Sequence, residues 1–454
     1  MKLYRHEIGW CQLLFLVVMM FAFSSCSNVD YLNAVPREST ALISMDFSKT
    51  KGVENTSVLK TLLNINDINQ CGIDISHKVI LFESPEGNLG LCASIKDDGD
   101  LKDCLTGLTK KGFCTPLSKR RGCSFTVIKN SWIAGFSDNA LLIMGPVTVA
   151  EQSDMMSKMV KYLNQDEDQG ITASKMYESL DSIDSPMAMV AQVQALPDKI
   201  IAPFIIGAPK NADATQVIIA AELKVKNGVL NMHGKTFSYN RDINQELQNA
   251  SKIYRPIKGT YLSAMSSSSL MGIFMNVDGQ KFLPLLQKNI SLQALLAGIN
   301  AAIDINSIIK SVDGDMSIVV PSFGDDNLQM SMAAQLANTN WIADVSYWKQ
   351  SCPPGGKIMD LGHNSYYYTN GKTSFCFGVT KDKQFFSGSS KNAAMSSIIA
   401  SKNTIPVALQ DKIKGQKMVM VVNLAGISGK FKAISYFMKP LFGDVHTLIY
   451  TMKQ

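Results

Sequence analysis

The feature that most constrains this chain is that it repeats its own plan. "ALISMDF" at 41–47 resembles "MGIFMNV" at 271–277, and each is followed by a stretch with helical spacing, "VLKTLL" and "QKFLPLLQK". "VILF" (79–82), "LGLCASI" (89–95) and "KKGFCTP" are matched by "SIVV" (317–320), "LQMSMAA" (328–334) and "WKQSCPP", which sets Cys114 against Cys352. "SFTVIKNSWIAGFSDNALLIMG" then matches "NSYYYTNGKTSFCFGVTKDKQFFSG". "MAMVAQV" (187–193) matches "MVMVVNL" (418–424), and "QVIIAAEL" (216–223) matches "HTLIYTMK" (446–453). The offsets stay between 230 and 239 in one order, whereas chance matches would scatter. The first copy continues into "KNGVLNMHGKTFSYN", a turn and a further strand, and the second has no equivalent. Copy two should therefore leave a strand edge that is covered or polar.

The periods are mixed. "TQVIIAAELKVKNGVLNMHGKTF" alternates about Asn227-Gly228, a two-residue turn in which both residues can take positive φ. Asn130 and "TNGK" (369–372) mark the equivalent hairpins. "TVAEQSDMMSKMVKYLNQ" places apolar residues at helical spacing. Short antiparallel strands with interspersed helices predict an α+β fold of two related domains. Each would be a mostly antiparallel sheet with helices on one face. The boundary is expected near 250, giving 26–250 and 251–454, with Ser266-Ser267-Ser268-Ser269 placed between the copies.

Residues 1–25 are expected to be a lipoprotein signal peptide. Lys2 and Arg5 precede an unbroken apolar run, Leu13 to Phe23, which ends on Ser24-Ser25-Cys26. As a helix this run spans roughly 16 Å, about half the hydrocarbon thickness of a bilayer. Phe23-Ser24-Ser25-Cys26 resembles a bacterial lipobox, with Phe23 and Ser25 in place of the usual Leu and Gly or Ala. That resemblance implies diacylglycerol on the Cys26 thiol and an outer-membrane location, on the periplasmic or the surface face. The anchor would be the membrane contact. With 44 Lys and Arg against 38 Asp and Glu, the net charge of +6 is mild for 454 residues, and no nucleic-acid module is present. "LSKRRGCS" reads as a solvated hairpin tip.

Without Cys11 and Cys26, seven cysteines remain, so pairing cannot be complete. Cys92 and Cys376 lie on strand-like runs and suit buried thiols. Cys114 and Cys123 flank the basic loop, and whether they bridge stays open. No CxxC occurs.

No spacing carries catalysis. His77, His233, His363 and His446 form no HxH or HxxxH pair, so no local metal site and no cofactor is expected. "NGKT" (370–373) has Tyr366 where a phosphate loop needs glycine, and "SGSS" and "GISGK" lack the form of a nucleophile elbow. Asp97, Asp98 and Asp100, Asp313 and Asp315, and Asp325 and Asp326 are acidic clusters beside glycine, which favours turns. "NTNWIADVSYW" and "NSYYY" concentrate aromatics. Trp341, Trp348, Tyr366 and Tyr368 are the candidate binding surface, with Tyr366 and Tyr368 on one strand face. A core side is the simpler reading of the same pattern.

Tyr31, Val35, Pro36, Ala41 and Asp46 fit an extended Y-x-x-x-I/V-P-x-x-A/S-x-x-V/L-x-x-x-D segment. With the lipobox and the doubled plan, this resembles a family of Bacteroidetes envelope lipoproteins of unknown function. The resemblance implies an envelope location and transfers no catalytic residue. Asp181-Ser182-Ile183 is similar to the O-glycosylation sequon of that phylum, with Ser182 as acceptor. The expectation is a lipid-anchored, non-enzymatic envelope protein that binds a glycan or a protein partner or serves a structural role. The alternative is a hydrolase acting on glycan or peptide through dispersed carboxylates. Mass spectrometry of the mature chain is expected to find an acylated, palmitate-labelled amino terminus at Cys26, lost in Cys26→Ala. A free amino terminus at that residue would remove the anchor.

Overall fold

The computed structural model describes residues 29–49, 70–288, 293, 302–322, 330–424 and 443–453. The leader with Cys26, the helix expected at 58–63, the "GISGK" segment, and Asp325 and Asp326 lie outside the described residues. The chain divides into two compact units. One holds the described residues up to Ser39 together with 70–174, and the other holds 40–49 together with 175–453. Neither division falls at 250.

Strand β1 (Ala41–Met45) belongs to the second unit. The first contains β2 (Ile73–Asp74), β3 (Val79–Glu83), β4 (Leu89–Ile95), β5 (Ser118–Arg120), β6 (Cys123–Ile128), β7 (Trp132–Phe136) and β8 (Ala140–Gly145). They pair antiparallel in the order β3–β4–β8–β7–β6–β5, with β2 beside the end of β4. β6 and β8 are buried at every residue; β8 accordingly reads as an apolar run, while β6 also buries Ser124 and Thr126. Helix α1 (Asp98–Lys110) starts where Asp97 accepts the Asp100 N–H at 2.9 Å, and buries a Leu101, Leu105, Leu108 stripe. Helix α2 (Gln152–Leu163) buries Met155, Met159, Val160 and Tyr162 against β7, β8 and a 3-10 turn at Asp30–Ala34.

The second unit adds β9 (Met187–Gln192), β10 (Ile218–Lys226), β11 (Val229–Phe237), β12 (Met271–Asp278), β13 (Val312–Val320), β14 (Ser331–Leu336), β15 (Lys357–Gly362), β16 (Ser365–Thr369), β17 (Ser374–Val379), β18 (Gln384–Gly388), β19 (Met418–Asn423) and β20 (Thr447–Met452). The pairing runs β1–β9–β10–β11–β20–β19–β12–β13–β14–β18–β17–β16–β15. It is antiparallel at every step except β11–β20. Helix α3 (Lys175–Asp181) packs on β1 and β9, α4 (Arg241–Ser251) on β11, and α5 (Gly279–Lys288) on β12 and β13. A core of Leu262, Met265, Phe274, Ile413, Val419 and Ile449 underlies the second half of this unit.

The pairing order recurs. β13–β14–β18–β17–β16–β15 follows the same sequence of hairpins and returns as β3–β4–β8–β7–β6–β5, and β12–β19–β20 follows β1–β9–β10. The edge expected after the second copy's last strand is covered by β11, running parallel. The two-residue Asn227-Gly228 turn has φ of 52° and 70°, and Lys129 and Asn130 are also positive, at 47° and 61°, in the longer loop between Ile128 and Trp132.

One placement is corrected and one open question is answered. The tetraserine segment lies inside the second copy rather than between the two. Asp30–Ala34 and Leu262–Ala264 are equivalent 3-10 turns, and the bridge Pro36–Gly170 is mirrored by Ser266–Thr404. Cys114 and Cys123 do not bridge. Cys114 lies opposite Ile128, at the far end of β6 from Cys123, about 16 Å along an extended strand. The disulfide is Cys71–Cys104, whose closure of the intervening 33-residue separation is worth about 3–4 kcal/mol. Cys92 and Cys376 are buried thiols, and burial pushes both up from the ordinary range.

The two equivalent tyrosines differ. Tyr31 Oη donates to Lys78 O at 2.6 Å, whereas the buried Tyr261 hydroxyl has no hydrogen-bond partner among the described residues. Tyr31→Phe is therefore expected to cost about 1 kcal/mol in chemical denaturation, and Tyr261→Phe to be neutral or stabilising. Equal losses in the two variants would contradict this difference.

Candidate functional site

The predicted aromatic surface is core. Trp341, Trp348, Tyr366 and Tyr368 are 2, 5, 7 and 3% exposed. The structure does bring them together. Trp341 and Trp348 stack with centroids 5.9 Å apart, and Phe377 lies 5.4 Å from Tyr366 and 6.4 Å from each tryptophan. Helix α7 (Val345–Gln350; α6 is Ile305–Lys310) carries Trp348 down onto the β16–β17 face. Alternation on β16 points Tyr366 and Tyr368 inward, so no open stacking face remains.

The described acidic clusters serve as a helix cap, ion pairs and a buried hydrogen-bonded carboxylate. Asp97 caps α1, and Asp98 pairs with Lys102, whose hydrogen bond holds the Asp98 carboxyl below its usual range. Asp313 pairs with Arg255 at 2.8 Å. Asp315 sits within β13 rather than in a turn. The register of β13 against β14 shifts between Val312 and Met316, and the carboxylate is 3% exposed. It accepts from the backbone N–H groups of Lys258, Gly259 and Thr260 at 2.9, 2.7 and 2.8 Å, and from Asn276 Nδ2 at 2.8 Å. Such saturation accounts for a buried carboxylate without a catalytic role. Among the described residues no group of three or more His, Cys, Asp or Glu side chains is placed to hold a metal ion. Ser182 is exposed on the turn after α3, and its Oγ donates to Ser179 O at 2.7 Å.

The crevice of interest was not foreseen. It has a volume of about 930 Å³ and lies between helix α8 (Lys391–Ser396), the tetraserine turn, and the ends of β13, β14 and β17. Ten serines and Thr373 line it, over apolar patches from Val319, Met330, Met395 and Ile399. Among the described residues Lys372 is the one charged lining residue, and the described lining includes no acid, histidine, cysteine or aromatic ring. Several hydroxyls are already engaged: Ser390 Oγ caps α8, and those of Ser396 and Ser397 return to helix carbonyls. Ile399 is 54% exposed, a large apolar side chain left in the open. The signal in the sequence was Tyr31-Leu32-x-Ala34 against Tyr261-Leu262-x-Ala264, which aligns the serines with Pro36 to Ser39 instead of with a linker.

The equivalent place in the first unit is filled. Tyr162, near the end of α2, donates to Glu86 Oε2 at 3.2 Å, and Ser84 Oγ donates to the same oxygen at 2.9 Å. Partial burial raises the Glu86 carboxyl, but these hydrogen bonds and the nearby Lys158 charge outweigh it and leave it below the usual range. Stability from a depressed carboxyl is present above the unfolded value and lost as pH falls through the folded one. Glu86→Gln is expected to flatten the acid limb of a series of thermal melts. An unchanged acid limb would show that the contact contributes nothing.

The chain belongs to the family described as Domain of unknown function (DUF4836), whose profile matches residues 36–425. No curated protein matches it significantly. Crystal form IV of TP0453 is similar at 8% identity over 43% of this chain and 76% of that one, with a TM-score of 0.26. Crystal form I of TP0453 matches at 11% identity over 82% and 98%, with a TM-score of 0.24. Similarities this slight carry no argument about fold or role.

Proposed function

We propose that this member of a family without an assigned role is a lipid-anchored, non-enzymatic binding protein of the cell envelope, built by duplication of one α+β plan. The crevice beside α8 is its binding site. The observation that carries this reading is the chemistry of that crevice. Its volume suits a bound group, and its described lining offers no carboxylate, imidazole or thiol to a reaction, with Lys372 its one amine. The described carboxylates that a hydrolase would need are held in caps, pairs and the Asp315 cluster.

Acylation of Cys26 would tether the chain to the outer membrane of a Bacteroidetes cell, on either face. The Cys71–Cys104 disulfide supports an oxidising, exported setting. Among the described residues no helix is long and apolar enough to cross a membrane, so the lipid would be the means of attachment that this reading relies on. Ser182, exposed on its turn, is available for O-glycosylation. The partner is another envelope component. A glycan is the second reading, favoured by the hydroxyl-rich lining and opposed by the lack of an aromatic ring among the described lining residues.

A photo-crosslinking side chain at Ile399 in the full lipidated protein is expected to form a discrete adduct in intact envelopes. The same group at Val149, exposed at 76% in the first unit, is expected to form none. No adduct at either position, or equal adducts at both, would overturn the assignment of the crevice.

A further inference from the structure

The repeat supplies its own picture of what the crevice receives. α2 and α8 each follow the last strand of a four-strand run, β8 and β18, and each packs back on that strand. α2 is 12 residues long and α8 is 6. Gly388 lets the α8 backbone come down on β18, since a Cβ there would lie 2.4 Å from Ala394 N. Then α8 stops. α2 carries Met155 in its first six residues and Met159, Val160 and Tyr162 in its added turns, all buried, and it packs on the Asp30–Ala34 turn. Its end is tied to the β3–β4 hairpin through Tyr162 and Glu86. In the second unit the equivalents of those surfaces line the crevice: Ala264 of the 3-10 turn, Ser266 and Ser268 after it, and Pro321 and Met330 at the β13–β14 ends. The described surfaces that correspond to those under α2 thus border a crevice of about 930 Å³ in the second unit, with Ile399 bare at its side.

We propose that the crevice is a docking groove for a single amphipathic helix of a partner protein. That helix presents apolar side chains at i, i+4 and i+5, in the pattern of Met155, Met159 and Val160. The proposal rests on the binding role argued above and names the class of partner. Helix-in-groove recognition suits the site. The floor is apolar and methionine-bearing, which tolerates varied side chains, and the serines are short enough to let a helix approach closely.

The probe is a labelled peptide of residues 152–163 with a lactam between Asp154 and Lys158, two positions off the buried stripe. The lactam is needed because a free 12-residue helix is marginal in water. Binding to the full-length protein is followed by fluorescence anisotropy. Ala400→Trp fills the groove from an exposed position, and Ile399→Glu charges its side. Both variants are checked by circular dichroism melts. Saturable binding, weakened at least tenfold by each variant and absent for a peptide carrying Met155→Glu and Met159→Glu, is the expected result. Absence of saturable binding, or binding indifferent to both variants, overturns the helix groove. A neutral oligosaccharide that binds and is displaced by Ala400→Trp, while the peptide does not bind, also overturns it and leaves the wider binding role standing.

Discussion

Six residue pairs hold the long sheet of the second unit together. Val229 to Gly234 of β11 run parallel to Thr447 to Met452 of β20. Through this ladder β1, β9, β10 and β11 join nine strands that otherwise begin at β20. Parallel pairs are slightly weaker per residue than antiparallel ones, and this one is reinforced by side chains. Tyr450 is fully buried, packs edge-on to Phe204 at 4.8 Å and donates to Gly234 O at 3.3 Å. His233 meets Thr451 at 2.9 Å, and Lys453 pairs with Glu222 at 3.1 Å. Gly234 has to be glycine, because a Cβ there would sit 2.3 Å from Ala220 O. A chain that ended at residue 445 would leave both β11 and β19 with open edges.

A second constraint sets where the later copy begins. Asp315 gathers the backbone of Lys258 to Thr260 onto β13, and Arg255 fixes the preceding turn by bonding Asn276, Asp313 and Val277 O. A buried carboxylate is costly unless its lone pairs are filled, and here four donors fill them. The segment leading into Tyr261 and Leu262 is thus placed by a polar cluster rather than by apolar contact alone. In the first copy Tyr31 uses its own hydroxyl, on Lys78 O, for a comparable purpose. One plan tolerates two different locks because both only have to seat a 3-10 turn before a strand.

Much of the strand order was legible because β-pairing needs apolar runs of fixed spacing. β3, β4, β9 and β19 coincide with the segments read from the sequence within a residue or two. The hairpins at Asn227 and Asn130 were legible because positive φ favours asparagine and glycine. Three things were not. Asp315 resembled a turn acid, since a register shift inside a strand leaves no local mark beyond Gly314. Trp341 and Tyr366 offered either face of an element, and only the tertiary fold shows which face is buried. The crevice was hidden because it arises from residues that α8 lacks. Composition marks the presence of an amphipathic stripe, and a missing stripe shows only when the two copies are laid side by side.

Duplication explains why such a site can exist without unfolding its surroundings. A sheet face that has lost its covering helix exposes apolar area and is prone to aggregate. Here the first turns of α8 still seat on β18, with Ala394 in a small cluster with Cys376 and Phe386. Beyond Ser396 the floor is interrupted by hydroxyls at Ser266, Ser331 and Ser401. These side chains hydrate when the crevice is empty and cost little rotamer entropy when it is filled. The other copy keeps its full helix and its buried methionines, so one half of the duplication retains the packed form of the plan. The other half holds the same surface open beside α8, where the shortened helix and the serine rim together keep it from collapsing or sticking.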